Sequence, residues 1–326
     1  SGNESAYQSY IDANPALFSS PALASEVQSM VTTLNTSLNV LAQIGNEGDS
    51  PNTVGSVVTV AQLNTILPVI TGLVLTNETA YRTYIDANPN LFSSPATTAE
   101  IQAMVTAVNG SSNILTQIGN EGDDTNNVPS AVTVAQLGTI SPAITGLKLG
   151  NETAYQEYID ANPSLFGTPA TAAEIQSMVS AVNASATVLE QVGNEADDAN
   201  SLSSTVTVAQ LSTISPAIEG LVSANEIAYR LYLDANPAKF SSPAKAAEIQ
   251  AMVTAVNASA GVLAKIGTDA DDTNLASTVT VAQLGTISPA ITGLVSGNES
   301  AYQSYIDANP ALFASPATAA EIQSMV

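Results

Sequence analysis

Histidine, cysteine and tryptophan are all absent from the 326 residues of the chain. The lack of cysteine excludes disulfides, thiol nucleophiles and zinc–thiolate clusters, and the lack of histidine excludes an imidazole base or metal ligand. Basic residues are scarce as well, because six Lys and Arg stand against 29 Asp and Glu, for a net charge of −23. This acidic excess repels phosphate backbones and anionic headgroups, so we expect no nucleic-acid or lipid-surface partner.

Long hydrophobic runs are also lacking. The longest, around residues 66–75, is interrupted by Pro68 and Gly72 and is far shorter than the roughly 20 residues of a membrane-spanning helix. No basic segment followed by an apolar one opens the chain, so we expect any export signal to lie outside it. Apolar residues nevertheless make up 45% of the sequence, which is too many for a disordered acidic tail. The composition predicts a folded chain that does not insert into a membrane.

The aromatic residues reveal an internal repeat. All ten Tyr and five Phe fall in five copies of the motif Ala-Tyr-x-x-Tyr-(Ile/Leu)-Asp-Ala-Asn-Pro-x-x-Phe. An Asn-Glu pair precedes each motif, and its asparagine recurs at a constant interval that is one position shorter only in the last case. This periodicity indicates a tandem array. Its predicted members are copy 1 (residues 1–76), copy 2 (77–150), copy 3 (151–224), copy 4 (225–297) and a partial copy 5 (298–326).

The first and last segments of the chain are nearly the same sequence. Residues 1–31 and 296–326 are identical at 27 of 31 positions. Val326 falls inside a predicted helix, so we expect either that the array continues or that another chain completes it. Either way, the repeat itself dominates the organisation.

Each copy has a helical pattern, which copy 3 illustrates. Its first apolar stripe has the spacing of one helix face, and Asn162-Pro163 ends it, because a residue before proline is pushed out of the α region. The stripe consists of Ile144, Leu147, Asn151, Ala154, Tyr155, Tyr158 and Ile159. We expect a long helix here, which Ser215-Pro216 would begin again in the next copy.

Two further helices are predicted in the same copy. Thr168-Pro169 has the residues favoured at the N-cap and first position of a helix, and Thr171-x-x-Glu174 forms an overlapping capping box. Gly193 is the predicted end of this second long helix. Thr207-x-x-Gln210 predicts a short third helix that reaches Ile214, although residues 205–208 could alternatively form a short strand. The predicted fold is therefore all-α, with two long helices and one short helix per copy of about 74 residues, forming an elongated rod or solenoid.

Asn151 and its equivalents leave one question open. If the helix is continuous from Pro142 to Ala161, Asn151 lies on the apolar stripe and must find a hydrogen-bond partner, and the phase of the stripe favours this alternative. In the other alternative, Gly150 ends one helix and Asn151 is the N-cap of the next. Neither alternative supplies a flexible linker between copies, so consecutive copies should pack directly.

An acidic loop recurs between the predicted second and third helices. Its clustered carboxylate and amide oxygens suit a hard cation such as calcium, although the glycine and the final glutamate of an EF-hand are missing, and a solvated turn is the competing interpretation. The flanking amides are Asn126, Asn200 and Asn274. The candidate metal ligands are Asp123, Asp124, Asp197, Asp198, Asp269, Asp271 and Asp272.

Three other repeated features have structural explanations. The tyrosine pairs could stack on sugars or bases, but their place on the apolar stripe favours core packing with all fifteen aromatics directed inward. The motif aspartates could act as a catalytic acid only beside a second, differently tuned acid, so we expect them to cap the Asn-Pro turn. These aspartates are Asp12, Asp86, Asp160, Asp234 and Asp307.

Eight Asn-x-Ser/Thr sequons could carry glycans, with helix-boundary chemistry as the simpler account. They begin at Asn3, Asn35, Asn77, Asn109, Asn151, Asn183, Asn257 and Asn298.

The repetition argues against an enzyme. Active sites are asymmetric arrangements of differently tuned groups, whereas here each notable polar residue comes in four or five copies. We expect no catalytic residues and no cofactor other than calcium. Repetition provides length, multivalency or assembly instead.

The segments 302–310 and 315–326 resemble the helical tandem repeats of very long bacterial surface proteins, which are often adhesin-like, acidic and poor in cysteine. The resemblance covers the whole chain and transfers no binding residues. It implies an extracellular or cell-surface structural protein, such as a stalk or spacer or a self-assembling filament subunit whose main partner is itself. The alternative is a multivalent adhesin with one weak ligand site per copy, which would require a repeated exposed cluster of aromatic or Arg residues.

Overall fold

The computed structural model describes residues 3–48, 55–122, 129–197, 203–271 and 276–326. Within these ranges the chain is helical and contains no strand, which confirms the all-α prediction. The strand alternative for residues 205–208 is therefore wrong, since Val208–Leu211 is a helix.

Three kinds of α-helix recur in the same order along the chain. The ten-residue helices are α1 (Glu4–Ala13), α4 (Glu78–Ala87), α7 (Glu152–Ala161), α10 (Glu226–Ala235) and α13 (Glu299–Ala308). The long helices are α2 (Ala24–Gly48), α5 (Thr98–Gly122), α8 (Ala172–Asp197) and α11 (Ala246–Asp271), and the seven-residue α14 (Ala319–Met325) has the equivalent position in copy 5. The short helices are α3 (Val60–Leu63), α6 (Val134–Leu137), α9 (Val208–Leu211) and α12 (Val281–Leu284).

Single 3₁₀ turns lie next to the ten-residue helices. One kind follows the Asn-Pro step at Pro15–Leu17, Pro89–Leu91, Pro163–Leu165, Pro237–Lys239 and Pro310–Leu312. The other kind precedes the ten-residue helices at Leu75–Asn77, Leu149–Asn151, Ser223–Asn225 and Ser296–Asn298. The predicted end of the first helix at Asn162-Pro163 is thus confirmed, because α7 stops at Ala161.

The predicted first long helix is wrong. The chain does not run helically from Pro142 to Ala161, because Ser141-Pro142 is a cis peptide, Gly146 has a φ of +74° and α7 begins only at Glu152. Two hydrogen bonds from one side chain bind the non-helical backbone at Thr145 instead. Gln176 accepts the N–H of Thr145 at 2.8 Å and donates to its carbonyl at 3.1 Å. The helical spacing of Ile144 and Leu147 therefore marked half-buried positions on extended chain.

The second helix differs from its prediction at both ends. The Thr168-Pro169 bond is cis and precedes the helix, so these residues are not the N-cap and first residue. The capping box is confirmed, since the Thr171 hydroxyl accepts the Glu174 N–H at 3.2 Å and the Glu174 carboxylate accepts the Thr171 N–H at 2.8 Å. Gly193 lies inside α8, which continues to Asp197.

The third helix is shorter than predicted but begins as predicted. Thr207 and Gln210 form a capping box at the start of α9, and the helix ends at Leu211. Ser215-Pro216 does not begin a long helix, because this bond is cis and the next regular element is the 3₁₀ turn at Ser223. Within the described residues, copies 1 to 4 therefore each have one long, one ten-residue and one four-residue helix in place of two long helices and a short one.

The contacts group the chain into two compact units, residues 1–179 and 180–326. Unit 1 contains α1–α7 and the start of α8, and one of its apolar clusters joins α2 and the chain around α3 to α4 and α5. Unit 2 contains the rest of α8 and α9–α14, and two clusters make the equivalent connections there.

The boundary between the units suggests a useful subdivision of each copy. We call residues 1–31, 75–105, 149–179, 223–253 and 296–326 the leading halves, since each begins with a ten-residue helix or the turn before it. Residues 32–74, 106–148, 180–222 and 254–295 are the trailing halves. The unit boundary falls between a leading half and the trailing half of the same copy. Every contact between a trailing half and the next leading half, which we call a junction, therefore lies within one unit.

Candidate functional site

The junction is the most elaborate arrangement of side chains that the structure repeats. At the first junction, Ile44, Leu63 and Ile66 of the trailing half are fully buried together with Tyr81 and Ile85 of the next leading half. Fully burying an aliphatic side chain of this size contributes about 1.5–3 kcal/mol. Unit 2 repeats the arrangement, with Ile266, Leu284, Ile287, Tyr302 and Ile306 in one cluster. Both sides of a junction thus depend on each other for their core.

A glycine in each long helix lets the next leading half approach closely. A Cβ placed on Gly45 would lie 2.7 Å from the carbonyl oxygen of Ser93 and 2.8 Å from the backbone nitrogen of Ala96. That Ala96 N–H donates to the helix carbonyl of Leu41 at 3.0 Å. The equivalent pairs of glycine and alanine are Gly119 with Ala170, Gly193 with Ala244 and Gly267 with Ala317. Gly193 is therefore needed for backbone-to-backbone contact between copies and not for ending a helix.

The motif aspartates bind backbone across the junction. Asp86 accepts the N–H of Ser56 at 2.7 Å, and the hydroxyl of that serine donates to Glu47 at 2.6 Å. The same aspartate contact recurs as Asp160 to Ser130, Asp234 to Ser204 and Asp307 to Ser277. These hydrogen bonds give the aspartates a structural role, but the predicted capping of the Asn-Pro turn is wrong, since the partner lies 30 residues upstream.

A glutamate and a longer polar side chain complete each junction. Glu78 accepts the N–H of Val60 at 2.8 Å, so the first N–H of α3 is satisfied by the following copy. Arg82 donates to the Val58 carbonyl at 2.7 Å and to Glu78 at 2.6 Å. Gln156 replaces the arginine in the next copy and donates to the equivalent carbonyl of Val132 at 3.0 Å. The position requires a donor that reaches this carbonyl, and a positive charge is optional.

A hydrogen-bonded pair of asparagines connects the two halves of copy 2. Asn77 occupies the N-cap position of α4, but its side chain makes no capping hydrogen bond. Its amide donates instead to Asn109 at 2.9 Å, and Tyr81 donates to the same oxygen at 2.8 Å. The Asn109 amide in turn donates to the Gly72 carbonyl of the preceding trailing half at 2.7 Å. Asn77 thus has the N-cap position that one alternative predicts and the side-chain partner that the other requires. Asn109 lies in the middle of α5, so the helix-boundary explanation of its sequon is wrong.

The two tyrosines of the motif are not equivalent. The first is buried in copies 2 to 5, as Tyr81, Tyr155, Tyr229 and Tyr302, which agrees with the core prediction. The second is half-buried in copies 1 to 3, 8% exposed at Tyr232 and 39% exposed at Tyr305. Not all fifteen aromatics point inward, since Tyr305 is exposed, and the second tyrosine packs edge-to-face against the motif phenylalanine in the pairs Tyr84–Phe92 and Tyr305–Phe313.

Most of the predicted calcium ligands fall where the structure gives no description. Asp123, Asp124, Asp198 and Asp272 lie outside the described residues, as do Asn126, Asn200 and Asn274 and the side chain of Asp197. Asp271 is exposed at the end of α11. Asp269 is buried and accepts hydrogen bonds from Lys265 at 2.8 Å and Ser277 at 3.0 Å. Among the side chains that are described, no group of three acidic residues is arranged to hold a metal ion.

Copy 4 keeps its junction although it is one residue shorter. Ser277 lies eight residues after its acidic partner Asp269, whereas Ser56 lies nine residues after Glu47. The missing residue therefore falls within this segment, and an aspartate replaces the glutamate. Since both contacts of the serine are retained, the change leaves the junction intact.

Hydrogen bonds lower the pKa of two glutamates of α8, Glu174 in its first turn and Glu195 near its end. The backbone N–H of Thr171 has the largest effect in lowering the pKa of Glu174; burial opposes it, and the Gly167 N–H and the Thr171 hydroxyl lower the pKa further. At Glu195 burial raises the pKa, but donors from Gln191, Ser204 and Thr205 outweigh it and lower the pKa overall. Both carboxylates are therefore held in the charged form that these donors require.

Sequence reasoning overlooked the buried serines of the long helices. Ser37 is 1% exposed, and its hydroxyl accepts the N–H of Leu67 at 2.8 Å. Its equivalents are Ser111, Ser185 and Ser259, which accept from Ser141, Ser215 and Ser288. A hydroxyl recurring once per copy within an apolar stripe was the available signal, since a buried polar group needs a partner.

Helix α11 is long and apolar enough, by length and composition, to cross a membrane. Ten of its residues are buried inside unit 2, and the core helices of folded domains meet the same criterion.

Comparison of the chain with protein-family models, with curated proteins and with solved structures finds no match.

Proposed function

We propose that this chain is an extracellular structural repeat protein, a surface stalk or spacer or the subunit of a self-assembling filament. The observation that carries the proposal is the junction, which recurs four times with the same aspartate-to-serine and alanine-to-leucine contacts. A protein that makes one contact repeatedly along its chain gains length by adding copies.

The junctions support a stiff array. The leading half of one copy shares an apolar core with the trailing half before it and is held there by backbone hydrogen bonds. Bending between copies would break these contacts, unlike motion about a flexible linker. An elongated rod or solenoid is the architecture that such neighbour-to-neighbour contacts favour.

The adhesin alternative finds less support in the side chains that are described. The arginines that a ligand site would use, Arg82 and Arg230, each donate to a carbonyl within a junction and to a glutamate one helical turn away. Their positions carry glutamine in copies 3 and 5. These side chains serve the junction rather than a repeated binding site.

Small-angle scattering tests the rod directly. Duplicating residues 77–150 in place once and twice should lengthen the largest dimension by the same increment each time, with an unchanged cross-section. A largest dimension that grows only as the cube root of mass would overturn the proposal.

Electron microscopy then separates the two forms of the function. Long uniform fibres from the purified chain would support a filament subunit, whereas separate short rods would leave the stalk or spacer.

A further inference from the structure

The leading half of copy 1 has an exposed face that the other leading halves bury. Ile11 is 42% exposed and Val27 is 41% exposed, whereas the equivalent Ile306 and Ile322 are fully buried. Ala22 is also exposed, although its equivalent Ala317 is buried and donates its N–H to Leu263. We call this surface, formed by Tyr7, Ile11, Phe18, Ala22 and Val27, the copy 1 face.

We propose that the copy 1 face is a docking surface for the trailing half of a further repeat of this same sequence. The proposal rests on the proposed structural function and names the partner. It identifies the occupant by continuity with the four junctions already present, in each of which a trailing half covers this surface.

The polar residues of copy 1 specify the occupant more narrowly than its apolar residues do. Glu4, Gln8 and Asp12 have the same spacing as Glu299, Gln303 and Asp307. In copy 5 these three bind the Val281 N–H, the Val279 carbonyl and the Ser277 N–H of the preceding trailing half at 2.8 to 2.9 Å. A trailing half offers this set of one carbonyl and two N–H groups beside an apolar surface, whereas a lipid or an unrelated helix does not.

The four sequence differences between the two leading halves do not oppose docking. Three of them, Ser19/Ala314, Leu23/Thr318 and Ser25/Ala320, lie at exposed positions. The fourth replaces Ile322 of the core by Val27, which keeps a β-branched apolar side chain. The copy 1 face therefore retains the chemistry of a buried leading half.

An extended chain tests the proposal while keeping the whole protein. Residues 225–295 are added directly before Ser1, which recreates a natural junction because Ser1-Gly2-Asn3-Glu4 repeats the sequence 296–299. Amide hydrogen exchange by mass spectrometry is the readout. Residues 4–17 and 299–312 are the same sequence, so they give one peptide mass whose isotope envelope divides if the two sites exchange at different rates.

The intact chain should show two envelopes of equal intensity, one fast and one slow. In the extended chain the fast envelope should disappear as its exchange slows at least tenfold. The proposal is overturned if the fast envelope persists after extension. It is also overturned if the intact chain, diluted until it is monomeric, shows only the slow envelope, since the face would then be covered from within the same chain.

Two substitutions in the extended chain control for unspecific stabilisation. Ile11→Asp should restore fast exchange of the first leading half, whereas Leu17→Asp should not, since Leu17 and its equivalent Leu312 are both more than half exposed. Each substitution also gives the peptide from copy 1 its own mass. Equal effects of the two would contradict the proposal. The outcome is independent of the scattering test, because the chain could be rod-shaped even if this face bound nothing.

Discussion

The first and last leading halves of this chain are the same segment in two environments. Residues 1–31 and 296–326 are identical at 27 of 31 positions, and both form a ten-residue helix, a 3₁₀ turn and the start of a long helix. Only the last has the trailing half of a preceding copy packed against it, and Ile306 is fully buried there while Ile11 is 42% exposed. Local sequence thus determines the helices, whereas the neighbouring copy determines whether they have a core.

The largest expected difference between the two segments is the cost of removing the central isoleucine. Ile306→Ala should lower the free energy of local opening of copy 5 by about 2–5 kcal/mol, because it leaves a cavity in a closed cluster. Ile11→Ala should lower that of copy 1 by about 1 kcal/mol or less, since little is buried there. Native-state amide exchange on the two variants measures both values. Equal losses would show that the comparison is wrong.

A smaller loss of stability is expected on substitution of the glycine that lets copy 5 approach α11 closely. Gly267→Ala should destabilise the chain by about 1–3 kcal/mol, because the new Cβ would lie 2.7 Å from the carbonyl oxygen of Ala314. Gly261 is the matched control in the same helix, with no atom within 4 Å of its added Cβ. Gly261→Ala should stabilise by about 0.5–1 kcal/mol through helix propensity. Urea unfolding followed by circular dichroism should show opposite signs for the two.

The junction aspartate should have a smaller effect again. Asp307→Ala should cost about 1 kcal/mol, because the Ser277 N–H loses its charged acceptor at 2.8 Å. Asp12→Ala removes the equivalent residue of copy 1, which has no preceding trailing half to bind, and should change stability by less than about 0.5 kcal/mol. The same unfolding measurement compares them, and a cost at Asp12 as large as that at Asp307 would count against the junction as its source.

The smallest difference is expected in the response to acid. Backbone N–H groups of Thr318 and Ala314 lower the pKa of Glu321, and those of Leu23 and Ser19 lower the pKa of Glu26. A carboxyl with a depressed folded-state pKa stabilises the fold above its unfolded value and loses that contribution as the pH falls through the folded value. Protection of both capping loops should therefore decline together below pH 4.5.

Glutamine variants provide the control for this titration. Glu26→Gln and Glu321→Gln should each remove the acid-dependent part of the protection in their own loop, as followed by amide exchange between pH 3 and 6. A response in one loop alone would mean that the junction, rather than the local cap, sets the acidity.

The sequence predicted features that depend on short-range chemistry. The capping boxes at Thr171 and Thr207 and the helix end at Asn162-Pro163 follow from hydrogen bonds within three or four residues. The all-α class followed from apolar spacing. Each of these depends on neighbours that are visible in a short window of sequence.

Features that depend on another copy could not be predicted in this way. The segment 142–148 has a helical apolar spacing but is not helical, and Gln176 binds the backbone N–H and carbonyl of Thr145 within it. Gly193 resembles a helix stop, although its purpose is contact with residues 241–244. The partners of the motif aspartates lie 30 residues away, beyond what local patterns reveal.

The four junctions also have a consequence for how such a sequence changes in length. Both surfaces of a junction are encoded within every repeat period, so any copy can follow any other without a new kind of contact. Insertion or loss of whole periods by recombination would preserve the packing, whereas a change of part of a period would leave one leading or trailing half without its counterpart. Selection for length therefore acts on complete repeat periods.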